Sequence, residues 1–326
     1  MIKVDKIFRS LTSRDFSDLA LEIFRFQARN NAVYHQFIHH LNIDIATVKT
    51  LEDIPFLPIE FFKSYQVVSA KKPFDLLFES SGTTGMTRSK HFVKDKTIYE
   101  QSFVAGFKHF FGNPADYNIL ALLPSYLEQG NSSLVYMTKK LIELTQSNDS
   151  DFYLHNQDEL AEKIVQLEQQ NKKTILLGVS YALLDFTEQF RFNLKNTIVM
   201  ETGGMKGRKK EMVREELHQT LQKSFGVKSI YSEYGMTELL SQSYSTGKGI
   251  FTTPPWQKIL IRDTEDPFSY LPTGKTGGIN IIDLANIYSC SFIATQDLGK
   301  QHTNSNFEIV GRFDQSDVRG CNLLVV

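Results

Sequence analysis

The chain has 326 residues, of which 41% are hydrophobic and 22% are charged, and its formal net charge is −1. This composition is ordinary for a globular protein with a sizeable core, and the balanced charge excludes the strong basic bias expected of a nucleic-acid-binding protein. The two cysteines lie far apart, no hydrophobic signal region opens the chain and no apolar run reaches membrane-spanning length, so we expect a cytoplasmic protein with free thiols and no membrane span.

The first 70 residues are predicted to be mainly helical. Apolar residues recur at helical spacing over residues 15–29, and a second helix is predicted over residues 31–39. His35 and His39 are four residues apart on the second helix, but no carboxylate or cysteine beside them completes a metal site. We therefore interpret these histidines as part of a partly exposed helix face.

Strands and helices alternate through the middle of the chain. The predicted strands are 74–78, 118–123, 173–178, 197–201 and 228–231, and the predicted helices are 97–111, 158–170, 181–189 and 209–224. This alternation is typical of a largely parallel sheet covered by helices on both faces. From about Phe251 the pattern changes to short strands and turns, at 258–261, 278–283, 287–294 and 308–311. The expected organisation is an α/β region over residues 1–250 and a β-rich lobe over residues 251–326, both within one domain.

A loop rich in hydroxyl groups and glycines follows the first of these strands. Its polar and glycine residues are Ser80, Ser81, Gly82, Thr83, Thr84, Gly85, Arg88 and Lys90. Glycines let backbone N–H groups converge, hydroxyl groups donate hydrogen bonds and cations supply countercharge, so this composition suits a loop that binds phosphate oxygens. A surface turn of small residues is the alternative. The loop is not a Walker loop, because no Gly-Lys-Ser/Thr follows at the required spacing.

Other polar clusters also follow predicted strands, and ligands of open α/β sheets gather at the carboxyl ends of strands. The cluster at 201–208 follows a strand and opens a helix, so it can present amides and cations to an anion. The cluster at 232–238 offers an aromatic face, a hydroxyl group and a carboxylate, which suffice to stack a base, contact a phosphate and hold magnesium. Shorter clusters lie at 297–299 and 311–314.

In order and spacing these clusters resemble the motifs of the adenylate-forming superfamily of acyl- and aryl-CoA synthetases, peptide-synthetase adenylation domains and luciferase-type ligases. Residues 80–85 resemble its phosphate loop, and the Tyr-Gly-Met-Thr-Glu segment at 234–238 resembles its Tyr-Gly-x-Thr-Glu motif. Asp297 resembles the aspartate that binds ribose hydroxyls, and residues 311–314 resemble the hinge motif with its ribose-binding arginine, Arg312. The resemblance implies an α/β fold like the large N-terminal domain of the superfamily.

Within the superfamily, residues 202–207 and 319–323 look most like the acyl-protein synthetases of bacterial luminescence, the LuxE family. Enzymes of that family activate a fatty acid as an acyl-adenylate, transfer it to a cysteine near their own C-terminus and pass it to a reductase. The resemblance therefore implies ATP and Mg²⁺ as cofactors, a carboxylic and specifically fatty acid as substrate, and an acyl-accepting protein as partner. It implies Cys321 as the acylated thiol, although Cys321 is only five residues from the end of the sequence, and an incidental tail thiol is the alternative.

The same resemblance implies a role for each residue of the nucleotide site. Ser81, Thr83 and Thr84 would hold the leaving phosphates, Thr237 the α-phosphate and Glu238 the magnesium ion. Tyr234 would stack on adenine opposite Gly203 and Gly204, while Asp297 and Arg312 would hold the ribose. The remaining members of the implied set are Ser80, Gly82, Gly85, Gly235 and Met236.

The small C-terminal lobe of typical ligases, which carries their catalytic lysine, is expected to be missing from this chain. Lys206, Arg88 and Lys90 are the candidates for the cation that adenylation then requires. Residues 178–184 resemble the segment that borders the acid pocket, but the same residues would also serve as core.

Three alternatives remain open at this stage. The acyl group could pass to coenzyme A or to a carrier protein. The fold could also have lost catalysis and bind its ligands only. A serine hydrolase or acyltransferase is the third, because Gly178-x-Ser180-x-Ala182 nearly forms a nucleophile elbow and Asp283 or Asp297 and His302 follow in the expected order. The hydrolase hypothesis explains neither residues 80–85 nor residues 234–238.

Overall fold

The computed structural model describes residues 2, 4–9, 11–81, 87–123, 130–203 and 212–313, and these residues form eight α-helices and fourteen β-strands. The helices are α1 (Ser13–Asn30), α2 (Ala32–His40), α3 (Phe61–Ser64), α4 (Lys96–Phe111), α5 (Ser133–Thr145), α6 (Gln157–Gln169), α7 (Ser180–Gln189) and α8 (Arg214–Phe225). The strands are β1 (Leu57–Pro58), β2 (Leu76–Glu79), β3 (Lys90–Val93), β4 (Asn118–Leu122), β5 (Asp151–Phe152), β6 (Thr174–Val179), β7 (Thr197–Thr202), β8 (Tyr231–Tyr234), β9 (Ser243–Ser245), β10 (Ile250–Thr252), β11 (Gln257–Arg262), β12 (Thr276–Asp283), β13 (Phe292–Gln301) and β14 (Phe307–Arg312). None of the helices in these ranges has the length and apolarity needed to cross a membrane.

The chain divides into two compact units. The central unit contains residues 73–254, and the discontinuous unit combines residues up to Lys72 with residues from Pro255 onward. This division differs from the one expected from the sequence, which grouped the N-terminal helices with the α/β region.

Buried amide side chains explain why the N-terminal helices belong to the discontinuous unit. Gln27 on α1 is fully buried, and its Nε2 donates to the carbonyl oxygen of Asn286 at 2.9 Å. The backbone N–H of Ser291 donates back to Oε1 of Gln27 at 2.9 Å. Asn31, at the end of α1, donates to the carbonyl oxygen of Ser289 at 2.9 Å. Since an unpaired buried amide costs free energy, these bonds specify where the helices pack.

The sheet of the discontinuous unit is antiparallel in the order β11-β12-β13-β14, and β1 pairs with β13 in parallel. Arg262 lies across it with a buried guanidinium, which donates to the carbonyl oxygens of Ile279 at 2.9 Å and Thr295 at 2.6 Å. Burial lowers the pKa of Arg262. A Cβ atom at Gly278 would lie 2.5 Å from the Cζ atom of Arg262, so the glycine leaves room for the guanidinium where it crosses the strand.

The sheet of the central unit has the strand order β10-β9-β8-β7-β6-β4-β5, with parallel pairing from β5 to β8 and antiparallel pairing of β9 and β10. Because successive strand side chains point to opposite faces, the register places Met200 and Glu233 on one face and Glu201 and Ser232 on the other. Helices α4 and α5 pack on the first face. Helices α7 and α8 pack on the second, where they contact Glu201 through Ser180 and His218.

The α/β class predicted from the sequence is confirmed, and most predicted elements lie within a few residues of the observed ones. Three elements differ from the prediction. Helix α5 was not predicted, although Ser132 caps it. Strand β8 begins at Tyr231, where the predicted strand 228–231 ends. The predicted strand 287–294 begins with a turn stabilised by Asn286, whose Nδ2 donates to the carbonyl oxygen of Cys290 at 3.1 Å.

A small cavity of about 20 Å³ lies between the central sheet and helices α4 and α5. Its lining is mainly apolar: Phe107, Ile119, Met137, Thr138, Leu141, Ile175, Leu177, Met200, Glu233 and Tyr244. Thr138 on α5 is fully buried, and its hydroxyl group has no hydrogen-bond partner among the described residues. This hydroxyl is therefore expected to destabilise the core.

Replacing Thr138 with valine tests this cost. The Thr138→Val variant is expected to have a free energy of unfolding about 1 kcal/mol higher than the wild type, because an unsatisfied buried polar group costs about 1–3 kcal/mol. Thr145→Val on the same helix is the matched control: the Thr145 hydroxyl donates to the carbonyl oxygen of Ile142 at 2.7 Å, so its loss should destabilise. Urea unfolding measures both. Equal destabilisation by both variants would show that Thr138 is hydrogen-bonded after all.

Candidate active site

The hydroxyl-rich loop connects two antiparallel strands. Strands β2 and β3 pair with Glu79 opposite Lys90, so residues 80–89 form the connection of a β-hairpin. Ser80 closes the base of this loop: its Oγ accepts a hydrogen bond from the Ser89 N–H at 2.9 Å, and its own N–H donates to the Ser89 carbonyl oxygen. Ser81 is exposed at the start of the loop. The helix predicted after the loop, α4, starts only after β3.

The two cations predicted for this loop lie in different settings. Arg88 is exposed within the loop. Lys90 belongs to β3, and its Nζ lies 3.9 Å from Oε1 of Glu79 with about half of the lysine side chain exposed. A pair exposed to this extent is weak. Arg88 is therefore the cation that lies within the loop itself.

The Tyr-Gly-Met-Thr-Glu segment starts at the end of β8 and continues into a turn. Tyr234 is the last residue of β8, and the Leu239 N–H donates to the carbonyl oxygen of Met236 at 3.1 Å across the turn. The Glu238 side chain is buried. The segment thus places Thr237 and Glu238 beyond the carboxyl end of a parallel strand, where ligands of such sheets bind.

A histidine on the hairpin holds this turn. Nδ1 of His91, on β3, lies 2.8 Å from the carbonyl oxygen of Thr237. Burial lowers the pKa of His91 to about 4, so the ring is neutral at pH 7. A carbonyl oxygen only accepts, so Nδ1 carries the proton and donates it. One hydrogen bond therefore joins the hairpin with the hydroxyl-rich loop to the Thr-Glu turn.

A buried carboxyl group lies beneath the glycine of the same turn. Thr202 on β7 donates its hydroxyl hydrogen to Glu233 on β8. A Cβ atom added to Gly235 would lie 2.5 Å from Oε1 of Glu233, so the glycine leaves room for the Glu233 carboxyl group in this position. Burial raises the pKa of Glu233 to about 7, the bond from Thr202 opposes the rise and the charge of Glu201 adds to it. Glu233 is therefore partly protonated near neutral pH.

The surroundings of Ser180 do not suit a nucleophile. Ser180 is buried at the first position of α7, and its Oγ lies 3.0 Å from Oε2 of Glu201 and 2.9 Å from the carbonyl oxygen of Gly203. A nucleophilic serine needs a base, usually a histidine, to accept its proton. Here Glu201 lies between Ser180 and His218, whose Nε2 is 3.5 Å from Oε1 of Glu201. The acid thus occupies the place that histidine has in a catalytic triad.

The two residues predicted to bind ribose meet in the discontinuous unit. Asp297 on β13 lies directly opposite Arg312 on β14. Nε of Arg312 is 2.9 Å from Oδ1 of Asp297, and the aspartate side chain is only 8% exposed whereas the arginine side chain is 73% exposed. Asp297 is further oriented by its backbone N–H, which donates to the Thr295 hydroxyl oxygen at 3.1 Å.

The predicted site residues thus divide into three sets. In the central unit lie Ser80, Ser81, Arg88, Lys90, Gly203, Tyr234, Gly235, Met236, Thr237 and Glu238; in the discontinuous unit lie Asp297 and Arg312; outside the described residues lie Gly82, Thr83, Thr84, Gly85, Gly204, Lys206 and Cys321. Sequence reasoning missed the buried polar groups behind the first set, namely His91, Glu201, Glu233 and His218. Only Glu201, which follows the apolar run 198–200, carried a signal in the sequence; the other three look like ordinary polar residues.

The donor chemistry fits a nucleotide. Exposed hydroxyl and guanidinium groups at the hairpin suit phosphate oxygens, and the aromatic ring of Tyr234 suits a base. No group of three or more metal-ligating side chains occurs in the described part of the chain. Mg²⁺ in nucleotide sites usually takes one or two carboxylates together with substrate phosphates, so Glu238 meets that limited requirement.

Solved structures with this fold include 2-hydroxyisobutyryl-CoA ligase and MatB. An open conformation of 2-hydroxyisobutyryl-CoA ligase, in complex with 2-HIB-AMP and CoA, matches 94% of this chain and 77% of its own, with a TM-score of 0.68 and 10% identity. ATP-bound MatB from Rhodopseudomonas palustris matches 74% of this chain with a TM-score of 0.55 and 17% identity. The chain spans about half the length of MatB, 49%. At these identities the similarity establishes the fold.

A family comparison covers nearly the whole chain. The family model described as acyl-protein synthetase, LuxE, matches residues 11–326. No individual curated protein matches the chain significantly. The resemblance to the LuxE family read from the motifs is confirmed by this match, and the solved structures confirm the predicted fold.

The raised pKa of Glu233 predicts an unusual pH dependence of stability. Between about pH 4.5 and pH 7 the folded protein holds a proton on Glu233 that the unfolded chain releases. The stabilisation from Glu233 is thus complete below pH 4.5 and is lost as the pH rises to 7, by at most about 1.4 kcal/mol per pH unit. His91, whose pKa is lowered to about 4, contributes the opposite slope from pH 4 to 6.5.

Comparison of the wild type with Glu233→Gln isolates this contribution. The wild-type free energy of unfolding minus that of the variant is expected to fall as the pH rises from 5 to 7, because only Glu233 differs between the two proteins. Urea unfolding at half-unit pH intervals measures the difference. A difference independent of pH would contradict the raised pKa.

Proposed function

This chain belongs to the acyl-protein synthetase (LuxE) family, and we propose that it uses ATP to convert a carboxylic acid into an acyl-adenylate and then transfers the acyl group to a thiol. The observation that carries the proposal is the hydrogen bond from His91 to Thr237, which holds the hydroxyl-rich hairpin against the Thr-Glu turn. A fatty acid is the proposed substrate, in line with the resemblance stated above.

In the first step a carboxylate oxygen attacks the α-phosphorus of ATP, and pyrophosphate leaves. Catalysis of phosphoryl chemistry of this kind depends on positioning and charge neutralisation. We assign Ser81, Thr83, Thr84 and Arg88 to the leaving phosphates and Thr237 to the α-phosphate. Lys90 and Lys206 are further candidates for the cation near the reacting centre. Glu238 would hold Mg²⁺, which would supply positive charge to the phosphate oxygens.

The nucleoside is proposed to bind through three further groups. Tyr234 stacks on adenine, and the backbone at Gly203 and Gly204 forms the facing wall. Asp297 and Arg312 hold the ribose hydroxyls; the exposed guanidinium and the buried carboxylate are a donor and an acceptor lying side by side, which supports this assignment.

In the second step a thiolate attacks the acyl carbon of the adenylate. A carbon–sulfur bond forms, the bond from the acyl carbon to the phosphate oxygen breaks and AMP leaves with the electron pair. Cys290 does not suit this role, because it is fully buried and burial raises the pKa of its thiol to about 12. We therefore propose Cys321 as the acylated thiol and a further protein thiol, on a reductase or carrier protein, as the next acceptor.

The acyl chain needs an apolar space beside the adenylation site. The cavity described above lies next to Glu233, at the strand that leads into the Thr-Glu turn, but its volume of about 20 Å³ holds little more than one water molecule. The lining of this cavity includes no residue of the segment 178–184, which resembles the segment that borders the acid pocket. An alkyl chain entering here would have to displace Met137 and Met200, side chains that adapt easily to new shapes.

Acid-dependent exchange of pyrophosphate into ATP tests the adenylation step. Wild-type protein screened against carboxylic acids of increasing chain length should catalyse exchange with a subset of them. Glu238→Gln and Thr83→Ala are each expected to lower the exchange rate about 100-fold or more, because each removes one charge-neutralising or hydrogen-bonding group. Wild-type protein that exchanges with no acid, or variants that exchange at the wild-type rate, would contradict the proposal.

Covalent labelling with a radioactive acid and ATP tests the second step. Cys321→Ser should keep pyrophosphate exchange and lose the covalent label, whereas Cys290→Ser should retain both. Addition of coenzyme A to the wild-type protein tests the alternative acceptor, because formation of acyl-CoA would show that coenzyme A accepts the acyl group. The structure of 2-hydroxyisobutyryl-CoA ligase has CoA bound. A label that persists in Cys321→Ser would exclude Cys321 as the acyl carrier.

A further inference from the structure

A buried carboxylate organises the second face of the central sheet. Glu201, near the end of β7, is 4% exposed and lies between three polar side chains. Ser180 approaches Oε2 at 3.0 Å, and His218 Nε2 and Arg214 Nε lie 3.5 Å and 3.9 Å from Oε1. A buried carboxylate costs free energy unless it is paired, so the contacts with Ser180, His218 and Arg214 stabilise Glu201 in this position.

The first connection from Glu201 leads to the backbone of Gly203. The Ser180 hydroxyl that approaches Glu201 also lies 2.9 Å from the Gly203 carbonyl oxygen. Gly203 has a φ of 66°, the left-handed conformation that glycine adopts without strain. Ser180 has one hydroxyl hydrogen for these two acceptors, so its hydroxyl group links the Glu201 carboxylate to the Gly203 carbonyl group by sharing that hydrogen at the point where the chain leaves β7.

The second connection leads to the ring of Tyr234. The Arg214 guanidinium lies over the ring of Phe251, 5.0 Å from its centroid. Phe251 in turn contacts the Tyr234 ring edge to face, with the centroids 5.9 Å apart. A Cβ atom at Gly249 would lie 2.9 Å from Cδ of Arg214, so the turn before β10 leaves room for this stack.

A third connection runs through the neighbouring strand. Ser232 lies opposite Glu201 in the pairing of β7 with β8, and its hydroxyl is 3.4 Å from His218 Nε2. Ser232 is two residues before Tyr234, so this contact fixes the strand that carries the tyrosine. The first two connections end at the two groups assigned above to adenine, Gly203 and Tyr234, and the third ends two residues before Tyr234 on the same strand.

We propose that Glu201 is a positioning residue for the nucleotide base, which sets the Gly203 backbone through Ser180 and the Tyr234 ring through Arg214 and Phe251. The inference rests on the proposed function, because it takes Gly203 and Tyr234 as the two sides of the adenine pocket. Phosphate recognition at the hairpin uses other residues, so Glu201 should govern binding of the base without governing binding of pyrophosphate.

Glu201→Gln tests the proposal, because the amide keeps the shape but lacks the charge that attracts Arg214. We expect the variant to bind AMP about tenfold more weakly, a loss of about 1.4 kcal/mol, while its affinity for inorganic pyrophosphate changes by less than about twofold. Titration calorimetry with AMP alone and with pyrophosphate alone gives both values. A general loss of structure would weaken both ligands equally.

Glu168→Gln is the matched control. Glu168 accepts hydrogen bonds from the Asn196 N–H at 3.0 Å and the Thr197 hydroxyl at 2.7 Å, at the opposite end of the same strand β7. This variant should lose stability and keep wild-type affinity for both ligands. Arg214→Lys, at a partly exposed position, keeps the charge but not the planar group over Phe251, and should weaken AMP binding less than Glu201→Gln does.

Three outcomes overturn the inference. They are wild-type AMP affinity in Glu201→Gln, or in Arg214→Lys if Glu201→Gln does not fold; equal losses for AMP and pyrophosphate; and loss of AMP affinity in Glu168→Gln. If wild-type protein binds neither AMP nor pyrophosphate, the proposed function fails and the inference fails with it. Failure of the inference alone leaves wild-type AMP binding and acid-dependent exchange intact.

Discussion

The hydrogen bond from the neutral His91 ring to the Thr237 carbonyl oxygen is the contact on which the site in the central unit depends. It joins a hairpin that is local in sequence to a turn 146 residues later. Because His91 is buried and its pKa is lowered to about 4, the ring stays neutral and keeps its donor over the physiological pH range. An amide side chain would offer a donor as well, but it lacks the flat apolar ring faces that suit a buried position.

Behind this contact, buried acids occupy both faces of the sheet at neighbouring positions. Glu233 faces α4 and α5 and lies beneath Gly235, whereas Glu201 faces α7 and α8 and holds Ser180. Glu233 therefore contacts the turn after β8 at Gly235, whereas Glu201 contacts the start of α7 at Ser180. Burial is the main reason that the pKa of Glu233 is raised, and the charge of Glu201 adds to it, so the two carboxyl groups interact electrostatically across the sheet.

Much of the fold could be read from the sequence because apolar periodicity reports which face of an element is buried. Strand β4 is buried at all five positions and was predicted within a residue of its bounds. The motif residues at the ends of β7 and β14 lie where they were predicted, whereas Ser232, Glu233 and Tyr234, which were predicted to follow a strand, form part of β8. The assignment of α1 and α2 to the discontinuous unit could not be predicted, because it depends on bonds between Gln27 and residues about 260 positions later.

The partners of the motif residues also escaped prediction, for a related reason. His91 and Glu233 look in the sequence like ordinary polar residues of half-exposed strands, and only tertiary packing buries them. The Asp297–Arg312 pair was found because both residues belong to recognisable motifs, whereas their direct pairing follows from the β13–β14 register alone.

The bonds made by Gln27 also have a consequence for synthesis on the ribosome. Gln27 and Ser291 are 264 residues apart, so at about 5–20 residues per second the helix waits roughly 13–53 s for its buried partner to be made. The whole central unit, residues 73–254, emerges during that interval and can fold first. Until then the apolar face of α1, with Phe16, Ile23 and Phe24, has no core to enter, and nascent chains are exposed to aggregation or to chaperone capture at this helix.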